Sequence, residues 1–218
     1  ALFTKNMQSS PSALAQQEWV SRVKDMSFEE IEQDPDTLQF AMSVGHGTFG
    51  DYCAACHGAG GQGKIGLFPN LADNAWLYGN SYETIVSKIS GGINGMMPAQ
   101  NVADDKIDDL AKYVLSLSGN AEISGEAASR GKQAFASCAG CHGQDAKGNE
   151  AMGAPNLTDA IWDVADVPGC GGDLACQMDE IKHVVNNGIQ RQMPGFGDRL
   201  SETQIRMLAI YVRQLGGN

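Results

Sequence analysis

Cys53-Ala-Ala-Cys56-His57 and Cys138-Ala-Gly-Cys141-His142 decide how this chain is read. Each is a C-x-x-C-H run, the signature of covalent haem c attachment. The chemistry sets the spacing. Two thiols add across the two vinyl groups on one edge of a porphyrin, and the adjacent histidine then faces the iron as its proximal ligand. A pair of zinc knuckles would need a second C-x-x-C at each site, which is missing. A thioredoxin-like redox motif would need a βαβ pattern, which surrounds neither pair. The expectation is two covalently bound haem c groups, one per run.

The sequence around the two runs repeats with a period of about 86 residues. Gly45 and Phe49 answer to Gly131 and Phe135, Pro69-Asn70-Leu71 to Pro155-Asn156-Leu157, and Trp76 to Trp162. Gly92 with Met97-Pro98 answers to Gly188 with Met193-Pro194, and Leu110-Ala111-Lys112-Tyr113-Val114 to Leu208-Ala209-Ile210-Tyr211-Val212. A thioether is a soft ligand that suits haem iron opposite histidine and raises its potential. Met97 follows His57 by 40 residues and Met193 follows His142 by 51, enough chain to circle a haem disc. Read in chain order, Met97 is the sixth ligand of the first haem and Met193 of the second, with Met96 the nearest rival to Met97. Met26, Met42, Met178 and Met207 read as core filler. An iron-bound histidine gives its other ring N–H to a carbonyl or carboxylate, and the Pro69 and Pro155 carbonyls stand at the right interval for that. Trp76 and Trp162 suit either the haem edge and propionates or plain core packing.

Apolar spacing predicts helices over 37–51 (capped by Asp36), 82–90 and 104–117, and near 125–137, 177–187 and 202–215, the last opened by a Ser201/Gln204 capping box. Ser12–Lys24 suits a further helix. No alternating run of useful strand length occurs. The fold class expected is all-α: an N-terminal helical extension over 1–36, one haem domain over 37–120 and a second over 121–218. The long Gly-rich loops between helices are where a ligand belongs.

The 218 residues carry a net charge of −11, which argues against nucleic acid and anionic membrane surfaces as partners and fits a cationic docking partner or no charged partner at all. No run reaches the roughly 20 apolar residues of a membrane span. Ala1 opens no signal-peptide pattern, so the chain reads as a mature protein or as a piece of a longer one. Asp25, Glu29, Glu30, Glu32, Asp34 and Asp36 form an acidic run that reads either as a solvated face or as a docking patch or spacer from a membrane anchor. Haem c attachment implies an oxidising compartment, where Cys170 and Cys176 would form a disulfide; the rival is one thiolate as a haem ligand. His46 reads as an exposed helix residue or a competing sixth ligand, and His183 as surface.

From about Met26 onward the chain resembles the diheme subunit of the cbb-type haem–copper oxidases, the FixP/CcoP family. The likeness rests on Gly45-x-x-x-Phe49, Phe68-Pro69-Asn70-Leu71, Trp76-Leu77-Tyr78-Gly79, Met97-Pro98, Tyr113-Val114-Leu115-Ser116-Leu117-Ser118-Gly119 and Gly153-Ala154-Pro155-Asn156-Leu157-Thr158-Asp159. It implies two tandem class I cytochrome c domains in the periplasm, relaying electrons from a soluble donor cytochrome towards a membrane oxidase or another redox enzyme. It also implies a membrane anchor outside this chain. The family's arginine before the first Met-Pro gives way here to Gly91-Gly92-Ile93-Asn94-Gly95, and Trp162-Asp163-Val164-Ala165 replaces the second Trp-Leu-Tyr-Gly. A free diheme carrier of the c-four type is the alternative. A diheme peroxidase or thiosulfate dehydrogenase would need an open iron, against which two Met-Pro signals argue.

Overall fold

A computed structural model describes residues 10–216. Its helices start where a short polar side chain can cap them. Ser10 accepts from Ala13 N (3.2 Å) ahead of α1 (Pro11–Asp25), and a Ser27/Glu30 capping box opens α2 (Phe28–Gln33). α3 (Pro35–Tyr52) is capped by Asp34 and not by the expected Asp36. Pro35 lacks an N–H and has its φ already set for the first helical position, which moves the cap one residue upstream of it. Then follow α4 (Ala54–His57), α5 (Tyr82–Gly91), β1 (Ile93–Met97), α6 (Asp104–Leu117), α7 (Gly125–Phe135), α8 (Ala139–His142), a 3₁₀ turn (Pro168–Cys170), α9 (Leu174–Asn187), β2 (Ile189–Met193) and α10 (Glu202–Leu215), which starts on the expected Ser201/Gln204 box.

The fold is mostly helical, but the all-α expectation needs one correction. β1 and β2 form an antiparallel ladder with Ile93 opposite Met193, Gly95 opposite Arg191 and Met97 opposite Ile189. Each strand is five residues long and weak by itself; Asn94 and Gly95 have low strand propensity. The other repeat supplies the missing partner, which no local pattern announces.

The sequence repeats divide at 120/121, and the packing cuts across that division. One core joins Ala41 and Phe49 of α3 and Ile85 and Ile89 of α5 to Ile205, Leu208, Ile210 and Val212 of α10. The other joins Phe135 of α7 and Ile181 and Val185 of α9 to Ile107, Leu110, Val114 and Leu115 of α6. Each repeat has thus exchanged its C-terminal helix with the other. The glycines at the helix crossings confirm it. A Cβ on Gly45 would lie 2.4 Å from Met207 O and 2.7 Å from Tyr211 Cβ; one on Gly131 would lie 2.5 Å from Asp109 O and 2.7 Å from Tyr113 Cβ. Backbones that close tolerate no side chain, so each glycine identifies the helix lying across it. A reason for the exchange is local. Residues 118–124 are all that separates α6 from α7, and so short a connection makes them an antiparallel pair.

α1 and α2 close over the first core. Val23, Phe28 and Ile31 enter it, and Phe28 stacks on Tyr82 at 4.2 Å between ring centroids. A disulfide joins Cys170 to Cys176 beside the second core. The two packed units also meet through loops. The Asp163 carbonyl accepts from Gly66 N (2.9 Å) and Arg191 Nη2 (3.1 Å), and the Tyr78 ring lies against Gly153.

Candidate haem sites

Both C-x-x-C-H runs fold as one helical turn at the end of a longer helix. α3 ends on Cys53, whose carbonyl accepts from Cys56 N (3.1 Å) and His57 N (2.9 Å). The Cys138 carbonyl accepts from Cys141 N and His142 N at the same two distances. Gly58 and Gly143, at φ of +79° and +83°, stop these turns. The chain then doubles back. Gly63 N reaches the His57 carbonyl (2.7 Å), and Gly148 N reaches that of His142 (2.8 Å). A Cβ at Gly63 would fall 2.5 Å from Pro69 O, and one at Gly148 would fall 2.5 Å from Ala154 O, so the loops close this tightly only on glycine.

The closure has a chemical result. His57 Nδ1 stands 3.1 Å from Pro69 O, and His142 Nδ1 stands 3.1 Å from Pro155 O. A carbonyl can only accept, so each Nδ1 carries the proton and donates. In the neutral ring this tautomer puts the lone pair on Nε2, the form that binds a metal. Burial lowers the His57 pKa, which favours that neutral ring.

The four thiols of the two runs are free. Cys53 and Cys138 are half-buried, and Cys56 and Cys141 are exposed. Burial, with the neighbouring Cys56 adding to it, pushes the Cys53 thiol up to about 11, and burial also raises Cys138.

The ladder decides where the methionines lie. A Cβ on Gly92, at the end of α5, would lie 2.5 Å from Met193 O, and one on Gly188, at the end of α9, would lie 2.5 Å from Met97 O. Phe196 N donates to Ile89 O (2.9 Å), and Gln100 N donates to Val185 O (2.8 Å). Met193 packs on the first core, as do Cys53 and Ala54. Met193 therefore lies in the unit of His57 and Met97 in that of His142, the reverse of chain order. Met96 is 76% exposed and points the other way along the strand. His46 is exposed on α3, edge-on to Tyr211, and His183 is exposed on α9.

The fit to a haem has an independent test. Trp162 Nε1 is buried and has no hydrogen-bond partner among the described residues. A buried indole N–H without a partner is costly, and a propionate from a non-protein group beside it would satisfy it. Trp76 is packed on the first core and carries no such orphan.

Sequence reasoning missed the contacts between the two units. Asn70, next to Pro69, donates its backbone N–H to Asp163 Oδ1 at 3.4 Å, across 93 residues of chain. Burial raises the pKa of Asp163 and of Asp73, with the neighbouring carboxylates adding to both. The only sequence signal was a difference between the repeats. Arg191 stands where the first copy has Gly95, and these two residues face each other in the ladder.

Known proteins carry the same pattern. Residues 40–114 and 126–212 both match the family described as cytochrome c oxidase, cbb3-type, subunit III. The chain belongs to this family. The cbb3-type oxidase subunit FixP of Azorhizobium caulinodans is 41% identical over 208 residues, covering 90% of this chain and 67% of that protein. The CcoP subunit of Azospirillum sp. is 38% identical over 223 residues (93% and 71%), and that of Rhodobacter capsulatus 40% over 210 (86% and 66%). Among the described residues of this subunit III relative, no helix is long and apolar enough to cross a membrane.

Proposed function

We propose that this chain binds two covalent haem c groups and relays electrons from a donor cytochrome to a membrane oxidase, doing no chemistry on a small substrate. Cys53, Cys56 and His57 hold one haem, with Met193 as the sixth ligand. Cys138, Cys141 and His142 hold the other, with Met97. The observation that carries this reading is the paired histidine geometry: two Nδ1 atoms, each 3.1 Å from a proline carbonyl, with a Met-Pro strand end brought into each unit.

When bound, each haem supplies reversible one-electron exchange. The protein's residues hold and tune it. Pro69 and Pro155 would orient the imidazole rings through Nδ1 so that Nε2 is free to face the iron, the cysteine thioethers would anchor the porphyrin edge, and the methionine thioethers would raise the potential. With both ligands in place no position would be open for peroxide, and outer-sphere transfer would need none. Attachment through Cys56 and Cys141, which are exposed, would bring an edge of each haem towards the surface, where a partner could approach. Net charge of −11 favours a basic donor, whose reduction rate should fall as salt screens over about 10 Å at 0.1 M. The disulfide and the thioether chemistry fit the periplasm.

Extraction of the holoprotein with acid and organic solvent tests the reading directly. Two haems should stay with each chain, and a reductive titration should resolve two low-spin His/Met centres. Free haem in the extract, one haem per chain, or fast peroxidase turnover with native ligation would overturn it.

A further inference from the structure

The exchange raises a problem of choice. Both N-terminal helices carry the same Gly-x-x-x-Phe surface, and both C-terminal helices carry the same Leu-Ala-x-Tyr-Val surface, so the shared contacts cannot say which helix goes where. Resting on the haem reading above, we propose that Arg206 and Arg213 of α10 are positioning residues. Gripped by the N-terminal segment, they assign α10 to the His57 unit and so deliver Met193 to the haem held there.

The grip is specific. Arg206 donates from Nε to Val23 O (3.2 Å) and from Nη2 to Met26 O (2.6 Å), and its guanidinium lies 4.2 Å from the centre of the Phe28 ring. Arg213 donates to Glu32 Oε1 (2.8 Å), which also accepts from Tyr82 Oη (2.5 Å), and it stacks over Tyr82. Between them Ile210 is 0% exposed. Three segments thus converge on α10: the α1–α2 turn, α2 itself and α5.

Aligning Leu110 on Leu208 shows what the other helix would bring. α6 has Asp108 in place of Arg206, Lys112 in place of Ile210 and Leu115 in place of Arg213. Docked on α3, it would aim a carboxylate at the Val23 and Met26 carbonyls and push an ammonium into the fully buried Ile210 position. It would also leave Glu32 without a cation. The reverse error is as costly. Leu115 is 0% exposed in the second core, and Arg213 placed there would bury a guanidinium among apolar side chains. Arg206 would replace Asp108, which now pairs with Lys182 at 3.1 Å, and would set cation against cation. Met207 would replace Asp109 and take from Arg130 the nearer of its two carboxylates, leaving only Glu126. Each helix suits one dock and is repelled by the other, which is how a choice between near-identical surfaces is made. The acidic run is therefore only partly a solvated face: Glu32 belongs to the grip, Asp34 caps α3, and Glu30 closes a capping box.

The test uses the full-length holoprotein, first checked for two covalent haems and two Met–iron charge-transfer bands. A protein lacking those would refute the haem reading and not this one. In Arg206→Asp/Arg213→Leu, haem content should stay at two per chain. The charge-transfer amplitude should fall to about half, with a drop in the potential of one haem only. Glu32→Gln, a milder change that keeps the Tyr82 partner, should weaken the same band without affecting the other. The reciprocal pair Glu32→Arg/Arg213→Glu should restore it. Both bands unchanged in Arg206→Asp/Arg213→Leu would overturn the proposal. So would equal loss at both haems in Glu32→Gln, or no rescue by the reciprocal pair.

Discussion

The two packed units share a plan and differ in what closes them. The His57 unit is covered by α1 and α2, so that α10 is buried on several sides from Ile205 to Val212. Among the described residues the His142 unit has no such cover: Lys112, at the place of Ile210, is part-exposed on α6, and a disulfide-closed loop over 170–176 stands nearby. Small haem units have thin cores and need additional fastening. Here one is fastened by extra chain and the other by a covalent bridge. Because the C-terminal segments are exchanged, each fastened unit contains a methionine that comes from the other repeat.

The sharpest way to break this comparison is to ask which methionine serves which haem. In a chain reduced to its second haem by Cys53→Ala/Cys56→Ala, Met97→Ala should abolish the Met–iron band and lower the potential by a few tenths of a volt, within the roughly 0.8 V range that axial ligands span. Met193→Ala in that background should leave the band in place. The opposite pattern, read by potentiometric titration, would restore chain order.

Next in size are the helix crossings. Gly45→Ala forces a methyl group against Met207 O and Tyr211 Cβ, at a cost of about 2–3 kcal/mol by denaturant unfolding. Its spectral damage should fall on the haem that Met193 serves, and that of Gly131→Ala on the other. Equal damage from either would argue against separate docking of α10 and α6.

Cys170→Ser/Cys176→Ser should cost about 2 kcal/mol, the small gain expected from closing so short a loop, and should lower the thermal midpoint of the second haem's signals before the first. Simultaneous loss of both would mean that the units unfold as one.

The smallest effect concerns pH at the junction. Burial raises the Asp163 pKa, so the folded carboxyl holds its proton more tightly than the unfolded one. That stabilising contribution is complete below the unfolded value of about 3.9 and is lost as pH rises through the higher folded value. Asp163→Asn keeps the oxygen that accepts from Asn70 and removes the charge. It should match the parent protein in acid and be slightly more stable at neutral pH, as unfolding curves at the two pH values would show. A variant less stable at neutral pH than in acid, relative to the parent, would mean that Arg191 compensates the buried charge fully.

Much of the site was legible before any fold was known. The haem runs, the proline partners of both histidines, the Cys170–Cys176 bridge and the six main helices follow from local chemistry: thiol spacing, capping, apolar period and turn residues act over a few neighbours. Asp34 displaced Asp36 as a cap only because Pro35 came between them. The strands were not legible, since Ile93–Met97 has no strand character until Ile189–Met193 lies beside it. Nor was the orphaned Trp162 N–H, which depends on a neighbourhood gathered from distant loops.

Two copies of one pattern led us to expect two haem units and named the residue types that would complete each. They could not say which copy completes which unit, because the glycine, aromatic and methionine positions are the same in both and the apolar contact they make is indifferent to chain order. That choice belongs to the tertiary structure. A short connector turns α6 back on α7, a ladder between the repeats carries Met97 and Met193 across, and buried charge, costly wherever its partner is missing, leaves each C-terminal helix one place to dock.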